Sequence, residues 1–117
     1  MSWKDPRNKK DIVYILTMLI PIGYTVAYSV LAKLVDTSPR AIGAYMRSNN
    51  DIIVVPCHRV VSVKGLGGYS RGTEFKKRLL VLEGALVGHK LRRINSPEEF
   101  WRIIEENAPA IIIENDP

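Results

Sequence analysis

Cysteine is nearly missing from this chain: of 117 residues only Cys57 carries a thiol, and histidine occurs only at His58 and His89. One thiol excludes an internal disulfide and leaves nothing from which to build a cysteine zinc cluster. We therefore expect a reducing, cytoplasmic setting, with no metal and no cofactor. Membrane-length apolar runs are absent too. The run Ile12 to Ile22 is interrupted by Thr17 and Pro21 and is too short to span a bilayer, although Lys4, Arg7, Lys9 and Lys10 ahead of it imitate a signal peptide. A membrane partner is not expected. The glycine-rich stretch Lys64-Gly65-Leu66-Gly67-Gly68 lacks the Lys-Ser/Thr ending of a phosphate-binding P-loop. Internal repeats and low-complexity segments are lacking as well.

What is present suits one domain over residues 1–117, since 46% hydrophobic content supplies a single core. Met1 to Asn8, charged and aperiodic, reads as a loose leader, and residues 93–117 as a carboxyl-terminal extension containing a helix. A net charge of +5 and a pI near 9.5 suit a polyanionic partner, though a solvated basic face accounts for them equally well.

Along the chain, Ile12, Val13, Ile15, Leu16, Leu19 and Ile20 follow helical spacing from Lys9 to Ile20, where Pro21 and Gly23 end the segment. Thr25 reads as the N-cap of a second helix to about Val35, with Tyr28, Leu31, Ala32 and Val35 on one stripe. After the turn Asp36-Thr37-Ser38-Pro39, Ser38 can cap a third helix that Pro39 opens and that ends near Ser48. Two short helices joined by a tight turn make a helix-turn-helix, whose second member enters a DNA groove. That member lacks long polar side chains for base edges. Ala41, Gly43 and Ala44 are small, which permits close approach to a backbone or a narrow groove and fits shape recognition. Arg40 at its start reads as a phosphate contact or a surface residue.

Ile52 to Val55 is a short apolar run suited to a buried extended segment, and Val61-Ser62-Val63 to a strand leading into the glycine loop. Thr73 reads as the cap of a fourth helix through Leu82, with Phe75, Leu79, Leu80 and Leu82 apolar and Gly84 as its terminator. Glu83 falls at that helix end, where a carboxylate opposes the macrodipole and suggests a specific partner. His89, in the basic stretch Ala85 to Arg93, reads as a surface residue. Ser96-Pro97-Glu98-Glu99 is a capping-box signature for a last helix to about Asn107, buried through Phe100, Ile103 and Ile104. The fold class is mainly α with a short β element, a winged-helix-like helix-turn-helix DNA-binding domain.

The chemistry centres on Val54-Val55-Pro56-Cys57-His58-Arg59-Val60-Val61, where the thiol sits beside an imidazole. A nearby base, a cationic neighbour such as Arg59 and a buried acid are the usual means of making a thiolate nucleophile. An inert buried cysteine is the alternative on these residues alone. Pro56-Cys57-His58-Arg59-Val60 resembles the active-site signature of the methylguanine-DNA alkyltransferases. Further motifs of that family stand in the same order: Pro21-x-Gly23 with Tyr28, Arg40-Ala41-Ile42-Gly43, Asn49, Gly68-Tyr69-Ser70 and Leu82-Glu83-Gly84. The resemblance spans roughly residues 10 to 92 and is to the carboxyl-terminal catalytic domain of that family.

It implies DNA repair by irreversible transfer of an alkyl group from O6 of guanine to Cys57, one lesion per molecule, on double-stranded DNA bound through the minor groove. The guanine must leave the stack first, at a cost of a few kcal/mol. The resemblance assigns Arg40 to fill the vacated place, and Tyr28 to help rotate the nucleotide and later donate to the base. It makes His58 the acceptor of the thiol proton through a bridging water, with Glu83 orienting the imidazole. Tyr69 and Ser70 fall at the base, backbone carbonyls near Cys57 and Val60 would read its amino group, Lys76 supports the nucleophile, and Asn49 ties the turn after the third helix to the active-site segment. Ala41 and Gly43 belong to the DNA-facing helix. A monomer is expected.

This chain departs from the family pattern at Ala27, Asn50-Asp51 and Arg71, and is too short for the amino-terminal domain common there. Two other readings stay open: a non-catalytic alkyltransferase-like protein that flags lesions for excision repair, against which Cys57 speaks, and a small winged-helix regulator, against which the small residues of the third helix speak. A cysteine peptidase lacks an evident oxyanion-hole motif.

Overall fold

The computed structural model describes residues 9–50, 54–62 and 73–107. Its first helix, α1 (Lys9–Met18), buries Val13, Leu16 and Thr17, and the Thr17 hydroxyl is satisfied by donating to the Val13 carbonyl at 2.8 Å. The helix stops two residues short of Ile20 because the last turn tightens: Leu19 and Ile20 donate to Leu16 and Thr17, three residues back. That turn swings Leu19 outward and keeps only Ile20 in the core, so Leu19 is not the core residue its spacing suggested. Gly23, at φ +97°, then reverses the chain in a conformation that a side chain would strain.

Thr25 does not cap the second helix. Thr25–Ala27 is a strand, β1, and the Thr25 N–H and hydroxyl both go to the Arg92 carbonyl, at 2.8 and 2.9 Å. With that hydroxyl engaged sideways, α2 (Tyr28–Val35) starts from Ala27 without any side-chain cap. Its C-cap Asp36 takes a left-handed conformation, φ 57°, which aspartate tolerates better than most residues. The third helix, α3 (Pro39–Arg47), forms as expected: Ser38 Oγ accepts from the Ala41 N–H at 3.1 Å, and Pro39 fills the first position, where its missing N–H costs nothing. α3 packs on α2 through Ile42, Gly43 and Met46, while Tyr14 of α1 donates to the Tyr45 carbonyl at 2.6 Å.

After a single 3₁₀ turn at Cys57–Arg59 comes β2 (Val60–Val61), parallel to β1 in the register Val26 to Val60 and Ala27 to Val61. α4 (Thr73–Leu82) follows, and Gly84 at φ +79° ends it. A hairpin of β3 (Leu86–Val87) and β4 (Lys90–Leu91) leads to β5 (Arg93–Ile94), which joins the other edge of β1, also parallel, so the sheet order is β2-β1-β5. The last helix, α5 (Pro97–Asn107), is capped by Ser96 Oγ on the Glu99 N–H at 3.1 Å; the Glu99 carboxylate returns to the Asn95 N–H at 2.8 Å, one residue earlier than a standard box. α5 packs on α2 through Phe100 and Ile103. The stretch from residue 93, read from sequence as an appended extension, thus supplies an edge strand and part of the core.

Among the described residues, five helices and a small sheet therefore make a mainly α fold. Val60 enters the main core with α1, α2, α3 and α5, whereas Val61, on the opposite face of the strand, packs with Leu80 and Ala85. β2 is the seam between the two clusters, and the Cys57 turn feeds directly into it.

Candidate active site at the Cys57 turn

Tight local bonds hold the turn. The Cys57 N–H donates to the Val55 carbonyl at 2.8 Å, the Arg59 N–H to Pro56 at 3.0 Å, and the Val60 N–H to the Cys57 carbonyl. In place of the extended run expected before Cys57, Val54 and Val55 form a bend; residues 51–53 lie outside the described residues. Asn49, buried, spans that stretch by donating from Nδ2 to the Val55 carbonyl at 2.8 Å, so the turn after α3 is tied to the segment that carries Cys57. Cys57 itself is fully buried and His58 is 5% exposed.

α4 brings the polar partners. Phe75 and Leu82, two of its apolar members, are exposed, and the stripe turned inward holds Lys76, Leu80 and, just past the helix, Glu83. Their spacing of four and three residues puts all three on one stripe. Lys76 donates from Nζ to the Val60 carbonyl at 2.8 Å and lies 5.9 Å from the centre of the Tyr28 ring. Burial brings its ammonium down to about 8, an effect that the neighbouring Cys57 opposes. The Val60 carbonyl, expected to read the base, is thus already an acceptor for Lys76.

Glu83 is the hub. Its Oε2 lies 2.9 Å from His58 Nε2 and accepts from Arg59 Nη2 at 2.8 Å, while Oε1 accepts from Arg59 Nε at 3.0 Å. Burial alone would push the Glu83 carboxyl up, but the hydrogen bonds from Arg59 and His58 and their charges bring it below the usual carboxylate range. An ionised carboxylate only accepts, so His58 must carry its proton on Nε2. Burial also holds the imidazole below its ordinary value, the hydrogen bond and charge of Glu83 opposing, Arg59 and Lys76 assisting. His58 is therefore a neutral ring whose Nδ1, buried and without a hydrogen-bond partner among the described residues, presents a lone pair. A neutral imidazole oriented by a carboxylate one residue from a thiol can act as its base.

The other expected site residues divide. Tyr28 is half-buried at the start of α2, and Arg40 is exposed at the start of α3 with Ala41 half-buried beside it. Gly43 is not on the outer face: it is buried, and a Cβ there would meet Arg47 Nη1 at 3.4 Å and the Tyr28 ring at 4.0 Å. Tyr69 and Ser70 lie outside the described residues. Arg59, expected as a cationic neighbour of the thiol, is bound instead to Glu83 and, through Nη1, to the Ile20 carbonyl at 3.0 Å. Sequence reasoning missed that clamp; its one signal was a basic residue next to His58, with nothing to say where the 3₁₀ turn would aim it.

Comparison with known proteins adds to this geometry. The family model for the 6-O-methylguanine DNA methyltransferase, DNA binding domain, matches residues 8–85. The methylated-DNA--protein-cysteine methyltransferase of Metallosphaera sedula is 52% identical over 65 residues, 56% of this chain and 42% of that protein. That of Saccharolobus solfataricus is 39% identical over 92 residues, 74% of this chain and 61% of that protein. The chain thus spans between 42% and 61% of the length of these curated relatives. Among solved structures, the O6-methylguanine-DNA methyltransferase of Pyrococcus kodakaraensis superposes with a TM-score of 0.59 at 49% identity, covering 65% of this chain and 45% of that one. The Mycobacterium tuberculosis OGT in complex with DNA superposes at 0.60 with 35% identity, covering 63% and 47%. With a match of this extent falling on the Cys57 turn, α3 and Glu83 alike, the chain belongs to the 6-O-methylguanine DNA methyltransferase DNA-binding-domain family.

Proposed function

We propose that this protein repairs double-stranded DNA by moving the alkyl group from O6 of guanine irreversibly to Cys57, and that it corresponds to the carboxyl-terminal catalytic domain of its family. The observation that carries the reading is the pairing of His58 Nε2 with Glu83 at 2.9 Å, which leaves Nδ1 as the basic nitrogen of the residue that follows Cys57. The names of the relatives, which specify methylated DNA and a protein cysteine, support it, as does a structural neighbour bound to DNA.

α2 and α3 act as the helix-turn-helix of a winged-helix-like domain, with α3 in the minor groove. Arg40 enters the stack as the damaged nucleotide rotates out, and Tyr28 helps to rotate that nucleotide through its 3′ phosphate. Tyr69 and Ser70 meet the base. His58 Nδ1 takes the Cys57 proton through a water, the sulfur attacks the alkyl carbon, the carbon–oxygen bond breaks, and Tyr28 supplies the proton that guanine needs. The thioether has no simple reductive reversal, so each molecule acts once. Because Cys57 is fully covered, the incoming base must open the site, and the Asn49 bond to Val55 couples that opening to α3. The reaction needs no metal or cofactor, and the protein acts as a cytoplasmic monomer.

Incubation with a duplex carrying one O6-methylguanine, followed by intact-mass measurement, should add one methyl group on Cys57 at a one-to-one limit, and Cys57→Ser should abolish the gain. Retained binding with unchanged mass would move the protein to the non-catalytic, lesion-flagging reading.

A further inference from the structure

Arg59 has a place that the proposed chemistry does not use. Both oxygens of Glu83 are held by its guanidinium, at 3.0 and 2.8 Å, and its third contact, 3.0 Å to the Ile20 carbonyl, reaches across to the end of α1. Arg59 is 12% exposed and Glu83 16%, so neither is a solvated surface charge. A two-point fork fixes the plane of a carboxylate as well as its position. The oxygen that faces His58 is one of the two so fixed. The Ile20 carbonyl lies just past α1, where helix ends leave acceptors without intrahelical donors, so the fork is itself anchored.

We infer that Arg59 is a positioning residue for the alkyl transfer, holding Glu83 in the one orientation that leaves His58 Nδ1 free as the base and offsetting the Glu83 charge so that the imidazole stays unprotonated. The inference rests on the proposed repair reaction. Two separable effects follow. The fork sets geometry, which lysine cannot reproduce because it offers a single point of charge. The positive charge adds to burial in favouring the neutral imidazole, an effect that lysine can reproduce. The charged groups that face His58 are Glu83 beyond α4, Lys76 on α4 and Arg59 on its own turn, with Cys57 adjacent. Glu83 favours the imidazolium; Arg59 and Lys76 oppose it. Removing Arg59 leaves Lys76 alone against Glu83.

The test compares Arg59→Gln and Arg59→Lys with the wild type, reading the His58 titration by NMR and the pH dependence of methyl transfer from an O6-methylguanine duplex by intact mass. Arg59→Gln should raise the His58 titration midpoint and the acid limb of the rate profile together, by about one pH unit. Arg59→Lys should leave both midpoints near wild type yet lower the plateau rate by about tenfold, the scale expected when an orienting partner is loosened. If both variants fold, keep the wild-type His58 midpoint and lose only thermal stability, Arg59 is merely structural and the inference is overturned. Should the glutamine variant fail to fold, the lysine variant decides alone, since an unchanged plateau rate removes the positioning role. Failure of the wild type to transfer any methyl would sink the repair reading instead, while the NMR midpoints would still show whether Arg59 governs the imidazole.

Discussion

Lys76 is an ammonium group that the fold buries completely, and its behaviour with pH follows from that one fact. Its proton leaves near pH 8 in the folded chain and near the ordinary 10.5 in the unfolded one. Between those values the unfolded chain binds more protons, so stability must rise with pH. The displacement corresponds to roughly 3 kcal/mol. We predict that wild-type unfolding free energy climbs from pH 8 toward pH 10, and that Lys76→Met, which keeps the stem and removes the charge, flattens the slope; equal slopes in denaturant titrations would refute it. His58 and Glu83 govern the acid side. Each is lowered, so stability is lost as pH falls below the ordinary 6.5 of the imidazole and again as it falls through the depressed Glu83 value. If His58 is the base, the transfer rate should fall over the first of these ranges, once the imidazole is already protonated and can no longer accept a proton. A transfer rate that is flat down to pH 5 would count against His58 as the base.

At the scale of elements, α3 is arranged so that its ends and its faces serve different tasks. Ser38 and Pro39 set where it starts, and that start leaves Arg40 exposed at the first turn. Ile42, Gly43 and Met46 are buried, with Gly43 beside the Tyr28 ring. If Arg40 replaces a departed base, Arg40→Ala should slow repair in duplex DNA at least tenfold more than reaction with free O6-methylguanine, because only the duplex loses a stacked neighbour and pays a few kcal/mol of unstacking. Equal losses on the two substrates would take Arg40 out of that role. α4 works differently. It turns a lysine and a glutamate toward the site on the same stripe as Leu80, so a count of its apolar residues does not give its inward face. Helical periodicity was the right guide there; the assumption that the inward stripe is apolar was not.

On the scale of the whole molecule, the strand β1 is too short to be read as one. Thr25–Ala27 is three residues long, buried throughout, and meets its partners β2 and β5 from 34 and 68 positions further along the sequence. No periodicity can be seen in three residues, and the threonine that looked like a helix cap gains its partner only when Arg92 arrives. The same long-range pairing makes α5 part of the fold. Phe100 is fully buried against α2, so Phe100→Ala should cost about 3–5 kcal/mol, a large share of a typical domain stability. A denaturant midpoint within error of the wild type would show that α5 is dispensable.

The chain's own order of residues determined the candidate site: a lone thiol beside an imidazole inside Pro56-Cys57-His58-Arg59-Val60, the caps of α3 and α5, and the glutamate just past α4 were all legible, because each depends on local spacing or on a motif. Only the tertiary structure decided that Arg59 grips Glu83 and Ile20, that Gly43 faces Tyr28, and that Lys76 sits dry beneath Val60. Those contacts join segments from 15 to nearly 40 residues apart. Which of two adjacent side chains meets a distant carboxylate depends on how helices and strands pack, and burial then sets the protonation states on which the reaction depends.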